Sequence, residues 1–301
     1  MRTQFTGVGT ALVTPFTKSG AVDEARVKRL ARRQIDGGVH FLVPCGTTGE
    51  TPTLSEAERL RVVELVLEEA RGQVPVMAGI GGNATAEVVG FAKAMHRVGA
   101  QGLLSVTPYY NKPTPEGLFH HFSAVADATP LPIMLYNVPG RTGCNIDAPT
   151  LAKLATIPNV IGVKEAAGNI QQMAEMVRAV PADFLVLSGD DAITLPLLAI
   201  GGRGVISVAS NSIPAEMSQL VEAAERGDFR LARQIHQKIL PLMIGNFIES
   251  NPGPVKFSMA AMGLCEEVFR LPMVSPRQAS KDKILAFMRE LGLPIVTESH
   301  V

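Results

Sequence analysis

Eight short apolar runs, separated by stretches with the spacing of amphipathic helices, constrain this chain more than any other feature. The runs cover residues 7–13, 40–44, 74–78, 102–106, 133–136, 160–164, 184–187 and 204–208. Each is too short for a core helix, and several have the Val, Ile and Leu density of strands buried on both faces. Helix-spaced stretches with charged outer faces follow at 23–36, 55–69, 85–98, 115–128, 148–155, 170–180, 191–200 and 214–224. Ser55 stands three residues before Glu58, a capping-box spacing. Glycines at 37–38, 72, 99 and 201–202 fall where left-handed helix caps are expected.

Strict strand–helix repetition implies parallel strands joined by right-handed crossovers. Eight such units close a barrel, so the expected class is α/β, a (β/α)8 TIM barrel with a C-terminal helical extension. A doubly wound open sheet is the structural alternative. After the eighth unit the pattern is helical only, at 228–245, 254–262 and 276–290. The expected division is a barrel over 1–228 carrying the active site, with an extension over 229–301 packed on it.

Composition narrows the partners. Of 301 residues 46% are hydrophobic, enough for a large core, so disorder is not expected. Lys plus Arg equals Asp plus Glu at 28 each, without the basic excess of a nucleic-acid or anionic-membrane surface. A small-molecule partner fits better. Three scattered cysteines suit neither a disulfide framework nor a zinc cluster. With no secretory h-region and no run of about 18 apolar residues, a cytoplasmic chain is expected.

A barrel of this kind places its site on the loops after the strands. Those loops are unusually polar here: Cys45-Gly46-Thr47-Thr48-Gly49-Glu50, Gly79-Ile80-Gly81-Gly82-Asn83, Thr107-Pro108-Tyr109-Tyr110-Asn111, Tyr136-Asn137-Val138-Pro139-Gly140-Arg141, Lys164-Glu165-Ala166, Ser188-Gly189-Asp190-Asp191 and Ser207-Val208-Ala209-Ser210-Asn211. Lys164 differs from Lys28, Lys93, Lys153 and Lys238, which lie in helical stretches. It ends an apolar strand, and a lysine desolvated in a barrel mouth has more free amine to attack a carbonyl. The competing reading, a structural lysine paired with Glu165, is weakened by strand alternation, which sends neighbours to opposite faces.

All three tyrosines, Tyr109, Tyr110 and Tyr136, fall at strand ends on this face. A phenol there can relay protons or simply fill the barrel top. Arg141, in a Pro-Gly bend, can clamp a carboxylate through its planar fork or lie solvated. Thr47 and Thr48 offer hydroxyls and N–H groups suited to a carboxylate or a proton relay. His120-His121 cannot put both rings on one helix face, and the H-E-x-x-H, phosphate-loop and G-x-S-x-G patterns are missing. The Gly201-Gly202-Arg203-Gly204 run precedes a strand, which is wrong for a dinucleotide site. Cys45 has no histidine at another strand end and reads as packing.

With these residues assembled, the chain resembles the pyruvate-dependent class I aldolases of the dihydrodipicolinate synthase and N-acetylneuraminate lyase superfamily. The resemblance runs from Gly7 to Leu271-Pro272. It rests on Gly46-Thr47-Thr48-Gly49-Glu50, Thr107-Pro108-Tyr109-Tyr110, Tyr136-Asn137-Val138-Pro139, Gly162-Val163-Lys164-Glu165 and Gly204-Val205-Ile206-Ser207. Arg141-Thr142-Gly143 and Tyr110 bring it nearest the dihydrodipicolinate synthase branch, since the sugar-acid lyases usually differ at the arginine. The resemblance implies that Lys164 forms an imine with pyruvate and that Tyr136, Thr47 and Tyr110 form a proton relay. It implies Arg141 on the carboxylate of L-aspartate 4-semialdehyde, Thr48 and Ile206 on that of pyruvate, and no metal or organic cofactor. It also implies a homotetramer built as a dimer of dimers, with Tyr110 reaching a neighbouring site.

Asn83, Glu87 and Tyr109 match the allosteric pocket of lysine-inhibited members, but Glu56 and Arg59 stand where enteric-type members carry histidines. The expectation is weak or absent inhibition by lysine; a half-inhibitory concentration below the millimolar range would count against it. Two alternatives stay open. One is a sibling lyase acting on a 2-keto-3-deoxy sugar acid, N-acetylneuraminate or 4-hydroxy-2-oxoglutarate; the other is a catalytically silent barrel serving as a sensor or binding protein, against which the intact Lys164, Tyr136 and Thr47 argue.

Overall fold

The computed structural model describes residues 2–296. Eight strands form one parallel sheet: β1 (Gly7–Ala11), β2 (Phe41–Val43), β3 (Met77–Gly79), β4 (Gly102–Val106), β5 (Ile133–Asn137), β6 (Val160–Glu165), β7 (Leu185–Ser188) and β8 (Gly204–Ser207). Their order is β2-β1-β8-β7-β6-β5-β4-β3. The ring is closed between β2 and β3, where Leu42 bridges Val76 and its N–H donates to the Pro75 carbonyl at 3.0 Å. The open-sheet alternative is thereby excluded.

The helices are α1 (Glu24–Asp36), α2 (Glu56–Ala70), α3 (Thr85–Arg97), α4 (Pro115–Asp127), the one-turn α5 (Pro139–Thr142), α6 (Ala148–Leu154), α7 (Ile170–Ala179), α8 (Thr194–Ala199), α9 (Pro214–Glu225), α10 (Phe229–Gly245), α11 (Gly253–Ala261) and α12 (Gln278–Glu290). The capping box at Ser55 forms as expected: its hydroxyl accepts from Glu58 N–H, and the Glu58 carboxylate accepts from Ser55 N–H. Gly38, Gly72, Gly99 and Gly201 adopt the left-handed backbone expected of them. No described helix is long and apolar enough to cross a membrane.

Most boundaries shift by a residue or two, and three of the differences have a plain physical reason. The third strand starts at Met77 instead of residue 74, since Pro75 has no N–H to give a ladder. The first ends at Ala11, because the Val13 N–H turns to the Asn211 side chain at 3.1 Å. The expected helix 191–200 opens as a separate 3₁₀ turn, Asp191–Ile193, capped by Asp190.

Alternation along the strands divides the core in two. Met77, Leu104, Met134, Ile161, Leu187 and Ile206 point inward and fill the barrel. Val8, Leu42, Ala78, Leu103, Leu135, Val163 and Val205 point outward and pack under the helices. Ala232, Ile239, Leu242, Phe257, Ile284 and Met288 of the extension join that outer layer, so residues after 228 share the barrel's core; 297–301 lie outside the described residues.

Candidate active site

Register sets the centre of the site. The β5–β6 ladder shifts between Ile133 and Met134, so that Met134 pairs with Gly162 and Tyr136 with Lys164. Gly162 fits the crowded inner face, where a Cβ would lie 2.5 Å from the Leu185 carbonyl and 2.9 Å from Met134 Sδ. Two residues later Lys164 also faces inward, buried at 5% exposure, with Nζ 4.2 Å above the Tyr136 ring. Gly189 lets its stem pass, since a Cβ there would meet Lys164 Cε at 3.0 Å.

Glu165 points the other way, as alternation requires. It accepts from Asn137 Nδ2 at 2.8 Å and Ala167 N–H at 2.7 Å, and burial pushes its carboxyl up despite those bonds. Among the described residues no carboxylate forms an ion pair with Lys164. The structural-lysine reading fails on this point.

The loop after β2 is wound tightly. A 3₁₀ turn, Thr47–Gly49, meets a second, Thr51–Thr53, at Glu50, whose backbone is left-handed (φ 52°, ψ 35°). Thr14 Oγ1 donates to the Gly49 carbonyl and Thr51 Oγ1 to that of Gly46, each at 2.8 Å. From the extension, Asn251 Nδ2 donates to Thr48 Oγ1 at 3.1 Å. Cys45 is buried, and desolvation pushes its thiol up to about 12, which suits packing and not a nucleophile.

Two adjoining hollows share Thr47, Tyr136, Val138 and Arg141. One, of about 200 Å³, reaches Lys164, Thr48, Asp190 and Asn251; the other, of about 230 Å³, reaches Tyr109 and Arg59. The structure thus brings Lys164, Tyr136, Thr47, Thr48 and Arg141 together. Ile206 is wholly buried inside the barrel and lines neither hollow, and Tyr110 is 85% exposed and joins neither within one chain. Asn83, Glu87 and Tyr109 do converge, with Glu56 and Arg59, on a third hollow of about 490 Å³. There Arg59 donates to the Thr51 carbonyl at 3.0 Å and stacks 4.7 Å over Phe91.

Three further polar or aromatic wall residues, Asp190, Phe247 and Asn251, carry no signal of their own in the sequence. Asp190 follows β7, and burial raises its carboxyl pKa. Phe247 and Asn251 come from the extension, where nothing in local spacing signals a role. The Asn251 carbonyl accepts from Arg141 at 3.3 Å, and its buried Oδ1 has no partner among the described residues.

Comparison with known proteins agrees with this fold. The profile described as the dihydrodipicolinate synthetase family matches residues 4–291. The chain belongs to that family. One similar relative is the 4-hydroxy-tetrahydrodipicolinate synthase of Koribacter versatilis, 52% identical over 95% of this chain and 96% of the relative. Among solved structures, dihydrodipicolinate synthase from Aquifex aeolicus superposes with a TM-score of 0.95 at 42% identity, covering 97% of this chain and 100% of that one. The chloride-inhibited enzyme from Acinetobacter baumannii, complexed with pyruvate, gives 0.94 at 38%, covering 96% and 99%. Family membership extends across the barrel and the extension alike.

Proposed function

We propose that this chain is a Schiff-base-forming lyase that condenses pyruvate with L-aspartate 4-semialdehyde to 4-hydroxy-tetrahydrodipicolinate, in diaminopimelate and lysine biosynthesis. The observation that carries this reading is Lys164 itself: buried, without a carboxylate partner among the described residues, and stacked on Tyr136 in a hollow that also holds two threonines and an arginine. A lysine kept from ion pairing inside a cavity is available as a nucleophile.

In the proposed reaction the Lys164 amine attacks the C2 carbonyl of pyruvate and water leaves, giving an imine. Tyr136 supplies and receives the protons this exchange needs, with Thr47 beside it and Tyr110 entering from a neighbouring subunit. Thr48 and the β8 segment at Ile206 receive the pyruvate carboxylate. The protonated imine draws electrons from the methyl carbon, which loses a proton and becomes an enamine. The enamine attacks the aldehyde of the second substrate, whose carboxylate lies on Arg141. The substrate's own amine then displaces Lys164 from the imine, closing the ring and restoring the enzyme. A cytoplasmic homotetramer with no metal or organic cofactor completes the proposal. Asn83, Glu87 and Tyr109 line the candidate regulatory pocket, where Glu56 and Arg59 stand in place of the histidines of enteric-type members, so that inhibition by lysine is weak or absent.

The test is borohydride reduction with pyruvate, followed by peptide mass mapping and an assay with L-aspartate 4-semialdehyde. The expected result is a pyruvate-sized adduct on Lys164 together with turnover. An adduct without turnover moves the answer to a sibling lyase, and no adduct removes the Schiff-base reading.

A further inference from the structure

The proposed reaction leaves unused the most deeply buried ion pair of the described residues. Lys256, in α11, and Glu50, in the turn after β2, are both fully shielded from solvent, and Nζ donates to Glu50 Oε1 at 2.6 Å. The ammonium is boxed by the Phe16 ring at 4.1 Å and the Phe269 ring at 5.1 Å. The other carboxylate oxygen, Oε2, accepts the Arg270 N–H at 3.1 Å. One side chain is therefore fixed by two separate parts of the extension.

The backbone at Glu50 says what this grip acts on. It is left-handed, a conformation that glycine, asparagine or aspartate adopts more cheaply. Nothing local calls for glutamate there; the reach of its carboxylate to Lys256 and Arg270 does. Thr47 and Thr48 stand on the turn immediately before it, and Asn251 holds Thr48 from the same extension. A buried ion pair is a poor source of stability, because apolar side chains of similar volume do as well or better. It does supply direction, fixing a carboxylate, and the turn behind it, along one line.

We infer that Lys256 is a positioning residue: through Glu50 it fixes the turn that presents Thr47 and Thr48 to the Lys164 hollow. The inference rests on the proposed function and concerns its proton-transfer step. The C-terminal extension is then part of the catalytic apparatus, although it carries no reacting group.

Glu50→Asp separates this role from simple support. It preserves the charge and suits the left-handed backbone better, but draws the turn toward Lys256 by one methylene. Three readouts are taken on the full-length protein: borohydride trapping of pyruvate, exchange of the pyruvate methyl protons in D2O followed by NMR, and the thermal midpoint. Trapping at saturating pyruvate should match the parent and the midpoint should move by a few degrees. Methyl exchange, which needs the aligned relay, should slow by about tenfold or more. The double variant Glu50→Gln/Lys256→Met removes both charges together; it should fold and still exchange slowly.

Exchange within about twofold of the parent in either variant overturns the inference. If Glu50→Asp fails to fold, the double variant decides alone. A parent protein that forms no pyruvate adduct overturns the proposed function, and this inference with it. An adduct-forming parent whose variants exchange normally overturns only the inference.

Discussion

Asp191 adjoins the cavity residue Asp190 and is the described carboxylate most at odds with its surroundings. It is wholly buried; Oδ2 accepts the N–H groups of Val208 at 3.1 Å and Ala209 at 2.8 Å, while Oδ1 has no partner among the described residues. Burial pushes this carboxyl up from 3.8 to about 6. In the unfolded chain it ionises near pH 4, whereas the folded chain holds the proton to about 6. Stability therefore falls as pH rises through that window, by about 3 kcal/mol once the group is charged. Asp191→Asn keeps an acceptor for both N–H groups and never charges. It should raise the thermal midpoint near pH 8 and change it little near pH 4; a gain equal at both pH values would refute this account. At this scale legibility followed separation along the chain. Lys164, Tyr136 and Arg141 could be read because their strand ends announce them. Asn251 and Lys256 could not, because each acts on a residue more than 200 positions away.

The link between α2 and the extension shows the same limit at the scale of elements. Ser55 and Glu58 were legible as a capping box, and they form one. The second task of Glu58 was not legible: its carboxylate takes both terminal nitrogens of Arg270, at 2.9 and 2.6 Å, and Arg270 also binds the carbonyls of Gly20 and Thr53. The Arg270 hydrogen bonds hold the Glu58 carboxyl down at about 2, so its contribution is complete above about pH 4.5 and fades as pH falls toward 2. Ser55→Ala should cost about 1 kcal/mol through the cap alone. Glu58→Ala should cost more, and a double-mutant cycle with Arg270→Ala should give a coupling of about 1 kcal/mol. Additive effects in urea unfolding would show that the fork contributes nothing beyond the cap. Period and length point to all eight strands, but the register shift between β5 and β6 that turns Lys164 inward is not encoded in a linear pattern.

Across the whole molecule, Tyr110 is the residue a single chain leaves unexplained. It has a left-handed backbone (φ 75°), is almost fully exposed, and borders neither hollow around Lys164 and Tyr136. The proposed function gives it work in a neighbouring subunit, which complementation can test. Tyr110→Phe should lower turnover roughly 10²-fold, and Lys164→Ala should abolish it. Mixed assemblies of the two variants should recover activity, since a hybrid pair contains one site with both groups intact. Failure to recover in verified hybrids would return Tyr110 to its own chain. Assayed with added lysine, the parent assembly should keep its activity at submillimolar concentrations, given Arg59 in the hollow with Asn83 and Glu87.

The tie between Glu50 and Lys256 also has a consequence in time. A ribosome adding about 5–20 residues per second needs roughly 10–40 s to travel from one to the other. The eighth strand ends at Ser207, so for the last 49 residues of that journey, roughly 2–10 s, all eight strands are made while the turn bearing Thr47 lacks its tie to Lys256. A nascent barrel of this design is therefore complete in outline some seconds before its catalytic turn is tied down, and full catalytic rate waits for the extension.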